Sequence, residues 1–239
     1  MKQNRTLPNA RQILLSGFAV LMICSFAAEV KAQVGVSMEL NSRYVWRGFD
    51  FGNSPSIMPE VTYTAGGFEA GIWAAYATNG NPAGTEIDYF LSYTFSTDAG
   101  DISLSVTDYT FPDEPGSYFD GDAHFIEIGL AYSTSFTEMT SFYVSGNVFV
   151  HNDDDNAGYV ELGLDFDLSD VGLGLFAGFT PAEAELYETT GFAFINAGVS
   201  VSKEFELGDS GRSIGISTAL IANPNAERMF AVGGISFGF

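Results

Sequence analysis

The sequence is poor in several residue types that carry chemistry. Its 239 residues include one cysteine, Cys24, and two histidines, His124 and His151. Cys24 lies inside an apolar N-terminal run, so the rest of the chain has no disulfide framework and no thiol chemistry. Ile23 precedes it where a lipoprotein signal would want a small residue. Basic residues are also scarce, with 9 Lys and Arg against 30 Asp and Glu and a net charge of −21. Phosphate contacts need Lys and Arg, so nucleic acid is not an expected partner. Beyond residue 32 there is no long helical stripe and no run of 18 apolar residues, which excludes a helical membrane span there. No G-x-S-x-G, Walker or zinc motif occurs. His124 and His151 fall on opposite faces of their strands, so they do not converge on a base–nucleophile pair. The expected protein is not an enzyme and uses no cofactor and no metal.

What remains is apolar, aromatic and acidic together. Hydrophobic residues make up 46% of the chain, with 22 Phe, 11 Tyr and 27 Gly. Disordered acidic chains combine high charge with low hydrophobicity, and this composition does the opposite. Residues 1–32 read as a cleaved secretory signal. Lys2, Arg5 and Arg11 form its basic start, residues 13–28 its apolar core, and Val30-Lys31-Ala32 its cleavage site. The apolar stretch of 16 residues is shorter than the ~20 a membrane-spanning helix needs. Residues 33–239 then form one domain with 5 basic and 29 acidic residues, a net charge of −24.

In that domain hydrophobicity alternates with period 2. Val34, Val36, Met38, Leu40, Tyr44 and Trp46 fall on one face of the first segment, and Gly35, Ser37, Glu39, Asn41, Arg43 and Arg47 on the other. Val160, Leu162, Leu164 and Phe166 likewise oppose Glu161, Gly163, Asp165 and Asp167. The pattern predicts 12 strands: 34–47, 57–66, 68–78, 86–96, 102–111, 123–133, 141–151, 158–168, 171–180, 191–202, 212–222 and 228–239. Most are 10–12 residues long, which suits a tilted spanning strand. An even count suits closure, and alternate connections should be the longer, external ones. The 203–211 connection is long for an internal turn, which leaves counts of 10 and 14 open. A soluble β-sandwich also alternates, but the faces opposite the apolar ones carry acids, Gly and Ser, a poor packed core. A barrel inverts that logic, because lipid takes the apolar face and a watery lumen accepts the charges. The expected fold is an all-β, transmembrane, antiparallel up-and-down β-barrel in the bacterial outer membrane.

Two stretches carry a family resemblance. Ser42-Arg43-Tyr44-Val45-Trp46-Arg47-Gly48 is followed by Pro55, Pro59 and Gly66-Gly67-Phe68-Glu69-Ala70-Gly71-Ile72-Trp73-Ala74, then by Glu86-Ile87-Asp88-Tyr89. Over roughly 42–95 the chain resembles the TorF-type porin family of outer-membrane β-barrels, with its glycine and tryptophan signatures. The resemblance implies a porin-like barrel; it supplies no substrate and no catalytic residues. The C-terminal strand, with Ile235, Phe237 and Phe239 on one face, resembles the assembly signal that the barrel assembly machinery reads. Outer-membrane lipid, that machinery and small solutes are the implied partners.

Candidate pore-lining residues follow from strand parity. Arg43 and Arg47 share the inward face of the first strand, and Arg228 begins the last strand, which must pair with the first. The three are expected to meet near the closing seam. There they either face Glu39, Glu60 and Glu69 across a constriction or simply pair with those carboxylates. Glu86, Asp88, Glu127, Glu161, Asp165 and Asp167 also face inward, and an acidic lumen prefers cations. Inward Gly163, Gly172, Gly174, Gly178, Gly198 and Gly215 are expected to leave room for water. Acidic loops (Asp113, Glu114, Asp120 and Asp122; Asp153, Asp154 and Asp155; Glu183, Glu185 and Glu188) read as solvated surface, since the Asp153–Gly158 stretch lacks the bidentate Glu of a calcium loop. Trp46 reads as an interface-belt aromatic. The expected function is passive diffusion of small solutes with cation preference; the alternative is a non-conducting barrel with a structural or surface-interaction role.

Overall fold

In the computed structural model, residues 32–112, 121–208 and 211–239 are described. The signal segment to Lys31, together with Asp113, Glu114 and Asp120, lies outside the described residues, as does the side chain of Asp122. The sixteen strands among the described residues are β1 (Ala32–Asn41), β2 (Tyr44–Trp46), β3 (Phe49–Phe51), β4 (Ser56–Ala65), β5 (Phe68–Ala77), β6 (Thr85–Thr97), β7 (Gly100–Thr110), β8 (Phe125–Thr137), β9 (Thr140–His151), β10 (Gly158–Asp167), β11 (Gly172–Thr180), β12 (Glu183–Ala184), β13 (Thr189–Thr190), β14 (Ala193–Glu206), β15 (Ser213–Asn223) and β16 (Arg228–Gly238).

Twelve of them close into one antiparallel barrel, in the order β1-β16-β15-β14-β11-β10-β9-β8-β7-β6-β5-β4. This settles the count at 12. Closure is made by β1 against β16, with Leu40 opposite Ile235 and Met38 opposite Phe237. The Phe239 backbone N–H adds a bond to the Val36 carbonyl at 3.0 Å. A closed ladder leaves no sheet edge, and every wall strand finds two partners. Alternation fixes the register. Val34, Val61, Leu104, Leu130, Ile216 and Leu220 are exposed on the outside, while Glu86, Glu127 and Asn196 are buried on the inside.

The connections are sorted by length. One end of the barrel has Gly66-Gly67, 98–99, 138–139, 168–171 and 207–212, and the start of β1 and the end of β16 lie there; we call it the turn end. The other, the loop end, has 42–55, 78–84, 111–124, 152–157, 181–192 and 224–227. The 203–211 connection is shorter than expected because β14 runs on to Glu206, and β8 similarly runs on to Thr137.

The first strand departs most from expectation. It does not run to Arg47. The chain leaves the wall at Ser42, whose backbone N–H donates to the Gly233 carbonyl at 2.8 Å and whose hydroxyl accepts from the Gly233 N–H at 2.9 Å. The next residues form a small hairpin, β2 with β3, in which Trp46 faces Phe49 and Tyr44 faces Phe51. Its turn residues Arg47 and Gly48 have φ of 48° and 83°, the positive pair of a tight hairpin turn. Tyr44 and Trp46 therefore do not face lipid, and Arg43 and Arg47 do not project from the wall. The hairpin folds back into the bore.

Candidate functional site

The hairpin is held by the barrel wall almost all the way round. Toward β4, β5 and β6, Tyr44 packs with Met58 and Ala75, lies 5.3 Å from the Trp73 ring, and donates its hydroxyl to Glu86 at 3.0 Å. Toward β7, the Trp46 ring meets Tyr109 edge-on at 6.0 Å. Toward β14 and β15, Asn223 donates to the Gly48 carbonyl at 3.4 Å, and a Cβ at Gly48 would collide with the Ile195 carbonyl. Only glycine fits that contact, and its φ also favours glycine. Trp46 joins the two buried apolar clusters, one around Tyr44 and the other around Tyr109, Phe149, Tyr159, Tyr187 and Ile195. Ala75, Tyr187, Ile195 and Asn223 have no accessible surface at all. The loop-end half of the bore is thus filled by a packed core.

Arg47 is the centre of this plug. Its Nη1 donates to Glu127 Oε1 at 2.6 Å and its Nη2 to Glu127 Oε2 at 2.8 Å, a two-pronged bond. Nη1 also donates to the Tyr187 hydroxyl at 2.6 Å. The guanidinium lies 4.4 Å from the ring centres of both Trp46 and Tyr159, within cation–π range. Tyr109 orients Glu127 from the other side with a 3.0 Å bond to Oε2. Burial opposes the charge on Arg47, but the Glu127 bond together with the electrostatic interactions with Tyr187, Glu127 and Tyr109 outweighs it and raises the guanidinium pKa. Burial also pushes the Tyr187 phenol up to about 12, so it is neutral at physiological pH.

Tyr187 reaches the plug from the second inward connection, 181–192. There β12 and β13 pair across a single 3-10 turn, Glu185–Tyr187. The Asp155 carboxylate accepts from the Glu185 backbone N–H at 2.9 Å. Asp153 Oδ1 accepts from the Asp155 and Ala157 N–H groups at 3.1 and 3.0 Å. These two loop acids are turn-forming and loop-docking groups rather than merely solvated surface. Among the described residues no group of three or more His, Cys, Asp or Glu could hold a metal ion.

The other predicted site residues spread along the bore. Arg43 does not meet Glu39, Glu60 or Glu69; it pairs with Asp50 across its own hairpin and donates to Asn53 at 2.8 Å. Arg228 is exposed at the loop-end start of β16. The three arginines therefore do not converge, because two of them leave the wall with the hairpin. None of the ion pairs among the described residues involves Glu39, Glu60 or Glu69. Glu86 and Asp88 are buried beneath Tyr44. Glu161 accepts from Tyr143 at 2.8 Å, from Asn196 at 3.0 Å and from Tyr159. His124 pairs outside the bore with Asp108 at 2.8 Å, and His151 bonds the Gly121 carbonyl at 2.7 Å.

The turn-end half is different. A cavity of about 560 Å³ opens there, lined by Ser135, Ser141, Asp165, Asp167, Ser200 and Glu204 among others. Asp165 and Asp167 are exposed to it. The inward glycines divide the same way. Gly163, Gly178 and Gly198 do not leave open space, since the rings of Tyr143, Tyr159 and Phe176 lie over them, whereas Gly172, Gly174 and Gly215 face Ser202, Ser200 and Ser236.

Sequence reasoning missed Tyr44, Asp50, Tyr109, Tyr159, Tyr187 and Asn196 as site residues. A signal was present for the hairpin. Tyr44-Val45-Trp46-Arg47-Gly48-Phe49-Asp50-Phe51 has alternating aromatics on both sides of a two-residue X-Gly centre, the pattern of a short hairpin.

Solved structures with this fold include the NanC porin, at 9% identity and a TM-score of 0.53 over 86% of this chain and 98% of that one. A membrane protein from work on in-meso crystallization matches at 13% identity and a TM-score of 0.51, over 86% and 83% of the two chains. An outer membrane channel from Pseudomonas putida F1 aligns at 11% identity and a TM-score of 0.48, over 89% and 96%. No curated protein matches the sequence. The chain belongs to the family described as "Bacterial protein of unknown function (Gcw_chp)", whose sequence pattern matches residues 27–231.

Proposed function

We propose that this protein is an outer-membrane, porin-like channel for small solutes with a preference for cations, and that the arrangement described here is its closed state. The apolar outer wall suits lipid, the loop end faces the cell exterior and the turn end the periplasm, as in barrels whose two termini share the short-turn side. The observation that carries the reading is the contrast within one bore: a packed plug at the loop end above a water-accessible, acid-lined vestibule at the turn end. A purely structural barrel of this size gains nothing from a vestibule carrying Asp165, Asp167 and Glu204. In the plug Arg47 is neutralised by Glu127, while the vestibule acids Asp165, Asp167 and Glu204 are exposed to the cavity and set the field that a permeating ion meets. NanC is a porin on the same fold, which supports the class and leaves the solute open.

Reversal potentials across a salt gradient test this on a variant with 43–54 replaced by a short Gly-Ser link. Cation preference is expected at low salt. It weakens as ionic strength rises, because the Debye length falls from ~30 Å at 0.01 M to ~3 Å at 1 M. A folded, membrane-inserted variant that passes no ions would instead support the non-conducting, surface-interaction role.

A further inference from the structure

The geometry points to a guanidinium receptor inside the barrel. We propose that Glu127, Tyr109, Tyr159 and Tyr187 form a binding site for guanidinium-bearing solutes, which Arg47 fills as a tethered ligand in the closed state. Such solutes compete with Arg47 and release the plug. The proposal rests on the channel reading only for its second half, the release of the plug to permit passage.

The site reads the shape of the group as well as its charge. Both prongs of the guanidinium fork meet both oxygens of Glu127, a match that an ammonium cannot make. The Tyr187 oxygen accepts a third N–H, and the Tyr159 face covers the plane of the group at 4.4 Å. Glu127 itself is held by Tyr109. Every one of these groups belongs to the wall strands or to the 181–192 connection, so the hairpin supplies the ligand and none of the groups that bind it.

The hairpin is built as if to deliver its ligand. Arg47 occupies a turn position with φ of 48°, where Gly, Asn or Asp is the usual choice. A branched-free but bulky side chain there costs backbone energy, so its presence is explained by what the side chain does at its far end. A tethered ligand has an effective concentration on the order of millimolar. Free guanidinium compounds therefore compete at millimolar levels and above, a range suited to a diffusing solute. The acids Glu39, Glu60, Asp165 and Asp167 elsewhere in the bore raise the local concentration of cations.

The test is chemical rescue. R47A empties the receptor while leaving its walls intact. Purified R47A in detergent is expected to melt at a lower temperature than wild type. Methylguanidinium at about 1–50 mM, the range set by the tether, is expected to restore the melting temperature, and methylammonium is not. Wild type, whose receptor is filled, shows no such rise, and the R47A/E127Q double variant loses the rescue. Should R47A fail to fold, the full-length W73F variant decides, because Trp46 is then its sole tryptophan. L-argininamide is expected to increase acrylamide quenching of Trp46 several-fold more than L-lysinamide at equal concentration. Equal effects of guanidinium and ammonium compounds, or none from either, overturn the proposal. The readouts are independent of conduction. A barrel that never conducts contradicts the channel reading, while rescue still reports on the receptor.

Discussion

The two halves of the bore are walled by the same twelve strands and filled in opposite ways. At the loop end, inward positions carry Tyr109, Phe149, Tyr159 and Trp73, and Glu127 and Glu161 among them accept from tyrosine hydroxyls. At the turn end, inward positions carry Ser, Gly, Thr and acids that stay wet. The outer faces hardly differ. A barrel wall thus specifies closure by its period-2 pattern and specifies how its bore is filled separately, by what its inward positions present to a loop. The ring-on-glycine contacts make the point at single positions. Tyr159 over Gly178 thickens the loop-end core, while Ser200 and Gly174 line the open cavity of the lower bore.

The comparison can be broken most sharply in the plug. Replacing Glu127 with Ala strands the buried Arg47 charge. Breaking a buried pair in this way costs about 3–5 kcal/mol, so the hairpin is expected to leave the bore. The expected result is faster proteolysis at 43–54, read by mass spectrometry, from a barrel that still migrates as folded on an unheated gel. Gly48→Ala comes next, because the Ile195 carbonyl blocks a Cβ and the positive φ disfavours one. A loss of roughly 1–3 kcal/mol in plug stability is expected from denaturant titration of Trp fluorescence. Tyr44→Phe removes only the Glu86 bond. Its expected cost of about 1.5–3 kcal/mol, the value of a bond to a charged acceptor, shrinks if Glu86 holds a proton.

The smallest effect on stability is expected in the vestibule. Neutralising Asp165 and Asp167 to Asn together is expected to leave thermal unfolding within about 0.5 kcal/mol of wild type. In the plug-free background it reduces cation preference at low salt, measured by reversal potential. A large loss of stability instead would mean that these exposed acids are structural, and the division between the halves would fail.

Most of the wall was legible in the sequence, for a physical reason. Residues such as Val160, Leu162, Leu164 and Phe166 point outward from the wall, so alternation reports their environment directly, and apart from the first strand, which leaves the wall after Asn41 instead of running to Arg47, the strand ends fell within about four residues of those observed. Tyr44 and Trp46 misled the reading because an inward hairpin also alternates, with its apolar face turned to a buried core instead of lipid. Period 2 does not distinguish the two. The Arg47-Gly48 centre did carry the difference. The partners of Arg47 were not legible at all. Glu127 lies 80 residues away and Tyr187 140, on elements whose approach depends on barrel closure and on a second loop turning inward. The stretch 42–95 contains the hairpin and part of the wall that seats it. Its Arg43, Tyr44, Arg47 and Gly48, together with Glu86, are contacts that seat the plug rather than a ring along the first strand.

The most direct test of the account is single-channel conductance in planar bilayers, comparing wild type with the variant lacking 43–54. Wild type is expected to show small or rare openings, and the variant steady steps at least severalfold larger, both from protein that shifts on heating as folded barrels do. Identical conductance in the two, or no steps from the folded variant, would contradict the claim that this hairpin is what closes the bore.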